Sequence, residues 1–397
     1  MAEYERQEVT PKGEHLFSES TKARYGEQRQ TRSLFLPNLL QQESSKKILW
    51  AQVEDAHQII CKWADIESSG KLNKMNETAI EGEFCKEVFG DALGYAFFAD
   101  HKERWNFQQK FSVNGGQADA VIGTFGANVK PHVRAVIELK GPTVNVDKYR
   151  SAGRTPVQQC WDYLNLLTDC PWGIVCNYVS FRIYNRNQSS RVYELFTLQD
   201  LRKKDVFLQF YYLIGKGGLI PTPLDKTLRA DYLLERCTNR QREVSDELYS
   251  RYHDERLKLI THLSGPGRNF PLDKAIRVTQ KLLDRIIFVA FCEDRELLPS
   301  KSIDQSWEYV APFERGAPRK WKNFLALFES IDKGNVNRDP PIPPYNGGLF
   351  REDKDIDNLD LDDEWTNFFK TVGSYDFAHE INVDVLGHLF EKSINDI

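Results

Sequence analysis

A chain of 397 residues, 41% apolar and 28% charged, is long enough for two domains and too evenly mixed for a collagenous, disordered or membrane-spanning protein. A formal net charge of −5 excludes a uniformly basic nucleic-acid binder, so affinity for a polyanion has to come from local patches. Seven scattered cysteines (Cys61, Cys85, Cys160, Cys170, Cys176, Cys237 and Cys292) with no C-x-x-C pair exclude a disulfide framework and a structural zinc site; with no secretory leader or apolar span visible, the expectation is a cytoplasmic protein with no membrane partner.

In chain order, residues up to about Lys47 are polar and irregular, with one apolar island at Leu34–Leu40. From Ile48 to Asp65, Trp50, Val53, His57, Ile60 and Trp63 recur at spacings of three or four, the face of an amphipathic helix expected to pack on the sheet that follows. Asn76 opens a second helix that runs through Phe89, ends near Gly94-Tyr95 and carries Glu81, Glu83 and Glu87. Glu81 and Glu83 are candidate additional acids for the site described next, weighed against the commoner exposed helical glutamate.

Gln117–Gly123 is a short apolar strand with Asp119 near its head, and Gly126-Ala127-Asn128 returns the chain into Ala135–Lys140 as an antiparallel pair. Side chains alternate along a strand, so Glu138 and Lys140 share a face and Leu139 points into a core. A basic loop with Lys148, Arg150 and Arg154 follows, and Pro156 opens a helix on which Gln159 and Tyr163, four apart, share a face. Strands at Trp172–Asn177, Phe181–Tyr184 and Val192–Phe196 complete a mixed α/β domain. Gly215-Lys216-Gly217-Gly218 reads as a hinge, because a phosphate-binding loop needs Ser or Thr after the lysine. Beyond it the periodicity is helical: Arg229–Leu263, Pro271–Leu297, Trp321–Ile331, Trp365–Val372 and Val383–Ser393. The division expected is an N-terminal extension and helix at 1–70, a catalytic α/β domain at 71–218 and an all-helical domain at 219–397.

An aspartate followed by Glu-x-Lys on a neighbouring apolar strand suits magnesium-dependent phosphodiester chemistry. Carboxylates hold a hard cation through oxygen, and a lysine beside them can orient water or stabilise charge on the phosphate. Two other motifs look chemical and are set aside. Asp339-Pro340-Pro341-Ile342 resembles an amino-methyltransferase motif, but no glycine-rich turn precedes it, so no S-adenosylmethionine site is expected in this stretch. Asp353-x-Asp355-x-Asp357 with Glu364 echoes a calcium loop, but Asn358 stands where glycine is required, which favours a solvated acidic loop.

Asp119, Glu138-Leu139-Lys140 and the Gln159-x-x-x-Tyr163 helix together resemble the PD-(D/E)XK nuclease core, in the Q-x-x-x-Y variant of single-chain type IIG restriction–modification enzymes, with Ala118 in place of the motif's proline. Leu282–Phe288, Glu293-Asp294-Arg295, Tyr345–Phe350 and Asp384–Glu391 are similar to that family's helical connector, and Ser393–Ile397 resembles the point where its methyltransferase begins. The resemblance implies a restriction-endonuclease-like fold and a DNA endonuclease leaving 5′-phosphate and 3′-hydroxyl ends. Asp119, Glu138 and the Leu139 carbonyl would hold one or two Mg2+ ions, with Mn2+ as a substitute. Lys140 would position or deprotonate water, with Gln159 and Tyr163 supporting it and Lys148, Arg150 and Arg154 on the DNA backbone. Its partners would be double-stranded DNA, methyltransferase and target-recognition domains in cis or in trans, and a second copy in a transient dimer. Two alternatives accompany it: a DNA-binding or assembly module whose nuclease fold is silent, and a defence nuclease directed at RNA or single strands.

Overall fold

The computed structural model describes residues 33–381 other than 76, 101–102, 224–226, 269, 310–318 and 346, and also residue 387. The chain divides into two compact units, Met1–Cys237 and Thr238–Ile397.

The first unit is built on one six-stranded sheet in sequential order: β1 Arg104–Val113, β2 Gly116–Gly126, β3 Val129–Leu139, β4 Trp172–Cys176, β5 Ser180–Asn185 and β6 Glu194–Thr197. Neighbours are antiparallel except β3 and β4, which run parallel. A parallel pair needs a crossover, and helix α4 (Pro156–Leu166) supplies it. Helices α1 (Pro37–Lys47), α2 (Glu54–Ser68), α3 (Glu77–Phe84) and α5 (Lys204–Ile214) contribute to the core on the opposite face. Alternation sorts β3 between the layers. Ala135, Ile137 and Leu139 join Ile60, Trp63, Phe84 and Phe210 in one core, while Val136 joins Cys160 and Leu164 of α4 in the other.

Helix α4 starts where the sequence places it, and its cap explains why. Thr155 accepts from the Gln158 backbone N–H at 3.2 Å, while Gln158 Oε1 accepts from the Thr155 N–H at 2.9 Å, with Pro156 at the first position. Such a capping box contributes about 1 kcal/mol. It also uses Gln158 and leaves Gln159 for other work. The helix lies close on β4 because Gly173 is there; a Cβ at that position would stand 2.7 Å from Cys160 Sγ.

Three expectations change. The amphipathic stretch near the N-terminus is not one helix from Ile48: a 3-10 turn at Trp50–Gln52 precedes α2, and Val53 caps it. Gly215–Gly218 is no hinge. Lys216–Leu219 forms one buried helical turn (α6), and the Lys216 N–H donates to Leu93 O at 3.0 Å. A Cβ on Gly218 would sit 2.0 Å from the Leu213 carbonyl oxygen, so these glycines serve close packing. The first compact unit accordingly runs on to Cys237, and its core includes Leu34, Phe35 and Leu36 of the apolar island.

The long helix α7 (Arg229–Ser264) contains the point of division. In the second unit, α8 (Leu272–Asp294), α9 (Ser302–Glu308), α10 (Arg319–Lys333), α11 (Lys354–Asp357) and α12 (Thr366–Val372) follow, and among the described residues this unit holds no strand, only one isolated bridge between Asn335 and Ile342. That bridge closes the loop containing Asp339–Ile342. The helix expected at Val383–Ser393 lies outside the described residues apart from Gly387. Charged residues of the connector-like motifs act as internal struts. Buried Arg285 donates to the carbonyls of Leu349 (2.9 Å) and Arg351 (3.0 Å), Glu293 accepts from the Ile303 N–H (2.7 Å), and Asp294 from the Phe377 N–H (2.7 Å). None of the seven cysteines is in a disulfide. Among the described residues no helix is long and apolar enough to cross a membrane.

Candidate active site

Alternation breaks on β1 and β2 at the same level. On β1, Phe107 belongs to the core shared with α2 and α3, whereas Phe111 and Val113 pack with the α4 core, although all three are odd-numbered. On β2, Ala120 and Ile122 face the first core and Ala118 the second. Between them stand Lys110 and Asp119, flanked by the pairs Gln109–Ala120 and Phe111–Ala118. Lys110 has a left-handed backbone, φ 52°. For a residue with a Cβ that costs about 1 kcal/mol, and it falls at the level where the facing of side chains changes on both strands.

Asp119 then lies beyond the Ala120–Ile137 pair, opposite Glu138. Its two oxygens do different things. Oδ2 accepts from the Leu139 N–H at 2.8 Å and lies 3.6 Å from Lys140 Nζ; Oδ1 accepts from Lys110 Nζ at 3.1 Å. Lys140 Nζ also donates to Glu138 Oε1 at 2.5 Å and to the Leu139 carbonyl at 2.9 Å. Lys110 Nζ is 3.0 Å from Glu81 Oε1, to which Gln109 donates at 3.5 Å. The result is an alternating row: Glu81, Lys110, Asp119, Lys140, Glu138. The carboxylates are withdrawn from water, with side-chain exposures of 9%, 17% and 5% for Glu81, Asp119 and Glu138. Partial burial works against the charge on Lys110, but its hydrogen bonds to Glu81 and Asp119 outweigh it and hold the amine above its usual range.

Of the two candidate helical acids, the structure brings in Glu81 and leaves Glu83 exposed, on the side of α3 that bears on Lys62. Glu87 accepts from Lys62 and from Trp63 Nε1. Tyr163 donates its hydroxyl to the Gln117 carbonyl at 2.9 Å, tying α4 to the head of β2. Burial, then the charges of Glu138 and Asp119, push its phenol up. Gln159 lies one turn earlier on the same face, and its Oε1 is buried without a hydrogen-bond partner. Such a group is costly unless something supplies a donor.

The loop from Gly141 to Thr155 borders this row and is pinned at two points. Arg182, buried on β5, holds Asp147 through both oxygens at 2.7 and 2.8 Å, and Asn177 Nδ2 donates to Val144 O at 3.1 Å. Lys148 and Arg150 are exposed on it, Arg150 folding back to the Gly153 carbonyl at 2.8 Å. Arg154 is spent on Asp162 at 2.8 Å.

Among the described residues no three Asp, Glu, His or Cys side chains draw together closely enough to hold a metal ion by themselves. The donor set is instead two carboxylates and a carbonyl. Asp119 Oδ2, Glu138 Oε1 and Leu139 O lie 3.6, 2.5 and 2.9 Å from a single atom, Lys140 Nζ. Hard oxygens converging on one cationic point are what Mg2+ or Mn2+ takes, so the residues present fit such an ion. Lys110 and Gln109 were not foreseeable as site residues, because nothing local in Trp105–Val113 marks the reversal at Lys110. Glu81 was: Ile80, Glu81, Phe84, Cys85 and Val88 form one helical face, and an acid on an apolar face is a signal.

Comparison with known proteins adds one relative. Over 243 aligned residues the chain is 22% identical to a protein of Methanocaldococcus jannaschii described as "Putative type II restriction enzyme and methyltransferase". The match covers 48% of this chain and 20% of that protein, so the chain spans about a fifth of the relative's length. No family model and no solved structure matches. Distant similarity to a restriction enzyme over about half the chain, and a mixed α/β unit followed by a largely helical one, are therefore what stand.

Proposed function

We propose that the first unit is a magnesium-dependent endodeoxyribonuclease of the PD-(D/E)XK type, the cleaving part of a type IIG-like restriction–modification or phage-defence system. The observation that carries this reading is the convergence of Asp119, Glu138 and the Leu139 carbonyl on one cationic point at the ends of two adjacent strands, beside a pinned loop with exposed basic side chains. The M. jannaschii relative supports the choice of DNA over other phosphodiesters.

In this reading Asp119, Glu138 and Leu139 O would hold the ion, which when bound polarises a phosphoryl oxygen and lowers the pKa of water. Lys140, whose ammonium marks the point of convergence here, would give it up to the ion and stay beside it, where it would meet charge developing on the phosphate, orient the attacking water or, as the free amine, take the water's proton. Tyr163 ties α4 to the head of β2, two residues before Asp119. Gln159 Oε1, buried and unpartnered, has an acceptor to offer a donor brought by substrate or by a moving Lys140. Lys148 and Arg150 would meet the DNA backbone, which supplies affinity without sequence information.

The test is cleavage of supercoiled plasmid with Mg2+ by the wild type, Glu138→Ala and Lys140→Ala, with single-stranded DNA and RNA as parallel substrates. Duplex cleavage with 5′-phosphate ends by the wild type alone is expected. Equal cutting by folded alanine variants would remove the site assignment. DNA binding without cutting at any Mg2+ concentration would make the unit a silent assembly module.

A further inference from the structure

Lys110 has no place in the Asp, Glu-x-Lys reading, yet like Lys140 it lies between two of the row's carboxylates. Its ammonium bonds Glu81 Oε1 at 3.0 Å and Asp119 Oδ1 at 3.1 Å, the mirror of Lys140 between Asp119 Oδ2 and Glu138 Oε1. Asp119 thus divides its two oxygens between two cations. The Lys140 position is the one where a backbone carbonyl joins the carboxylates; the Lys110 position has two carboxylates and the Gln109 amide beside Glu81. A bridging carboxylate with a further acid on each side is also the ligand arrangement of two-metal phosphodiesterases.

We propose that Lys110 stands in for a second divalent cation, so that the site works with a single metal ion. The proposal rests on the nuclease reading. Three carboxylates against two ammoniums leave the row with one net negative charge. One divalent ion turns it to one net positive charge, matched to a phosphodiester; a second ion would overshoot. Lys110 has a left-handed backbone, and its side chain stands between the two acids. Lys110 acts through Glu81 and Asp119, so its role is positioning: it holds Asp119 Oδ1, so that Oδ2 is the oxygen left on the side of Leu139 and Lys140 that would hold the ion.

The experiment counts bound ions. Mn2+ is titrated into the full chain and free Mn2+ is read by electron paramagnetic resonance, for the wild type, Lys110→Gln, Lys110→Arg and the double variant Lys110→Gln/Glu81→Gln, with plasmid cleavage as a second readout. The wild type should take up about one ion, Lys110→Gln about two, and both Lys110→Arg and the double variant about one again. A merely structural lysine would not change the number in this pattern. Cleavage by Lys110→Gln should shift from a hyperbolic to a sigmoidal dependence on Mn2+. Two ions in the wild type, or one in Lys110→Gln, overturns the proposal while leaving a cleaving wild type intact. No ion in any variant together with no cleavage overturns the nuclease reading, and this proposal falls with it. Lys110 is 47% exposed, so Lys110→Met serves as a further neutral variant should the glutamine variant fail to fold.

Discussion

Two clusters in this molecule are made of the same residue types and use them for opposite ends. In the first unit, Glu81, Asp119 and Glu138 face Lys110 and Lys140. In the second, Asp353 and Asp355, from the stretch that echoes a calcium loop, face Lys274, Arg277 and Lys281, which lie along one face of α8. There cations outnumber the paired acids. Asp353 caps the short helix α11 by accepting from the Asp355 N–H at 3.1 Å, and Asp357 accepts from the Asp353 N–H at 2.8 Å. The first part of the stretch, Lys354–Asp357, is thus a capped, ion-paired helical turn, and the loop expected there begins only at Asn358. Burial raises the Asp353 carboxyl, but the hydrogen bonds from Arg277 and Lys281 prevail and bring it down to about 2. What separates the two clusters is the sign of the remainder: acids in excess and shielded from water leave room for an added cation, whereas cations in excess close the account.

The largest effect expected follows from that remainder. Glu138→Gln keeps the shape and removes one charge from the metal-facing side, and should lower plasmid cleavage about 10³-fold. Asp353→Asn should leave cleavage within about 2-fold. Comparable losses in both would mean that acid excess does not distinguish the clusters.

A second contrast lies within the helical unit. Burial pushes the Glu293 carboxyl up to about 8, against the hydrogen bond it accepts from Ile303. A raised acid is protonated in the fold while its unfolded counterpart ionises, so stability should fall as pH climbs from about 4.5 towards 8, by roughly 3 kcal/mol at pH 7. Glu293→Gln keeps an oxygen for the Ile303 N–H and should flatten that slope in urea unfolding. Asp353 has the opposite sign. Its contribution, about 1 kcal/mol after screening by solvent, is present above about pH 4 and is lost as pH falls towards 2. Asp353→Asn should therefore weaken the protein at pH 6 and have little effect at pH 2. A wild-type profile that rises between pH 5 and 8 would reverse the assignment for Glu293.

Legibility divides along physical lines. The hairpin of β2 and β3, the Pro156 helix and the long helices of the second unit were readable because each rests on local periodicity and turn residues. Asp119, Glu138 and Lys140 were singled out by the pattern of their strands, and Tyr163 by the resemblance. Lys110 could not be, because its place depends on a left-handed backbone residue that nothing local in the sequence marks. Gly215–Gly218 misled because glycine marks both a hinge and a close backbone approach, and only the Leu213 carbonyl tells them apart. Gln158 and Gln159 are neighbours of one type with different work, divided by the cap at Thr155.

The smallest effect tests whether the loop beside the site meets DNA. Lys148 and Arg150 are exposed on a segment held by the Asp147–Arg182 pair, whereas Arg154 is occupied by Asp162. If Lys148 and Arg150 each neutralise a phosphate, each alanine variant should reduce the slope of log K against log salt by about 0.9. Arg154→Ala should change it less, since its charge is already paired. Fluorescence anisotropy on a labelled duplex in Ca2+ would measure the slopes without cutting. An unchanged slope for Lys148→Ala and Arg150→Ala would place the DNA path elsewhere. A loss confined to particular duplexes would make the loop a reader of sequence, because a backbone contact weakens every duplex alike.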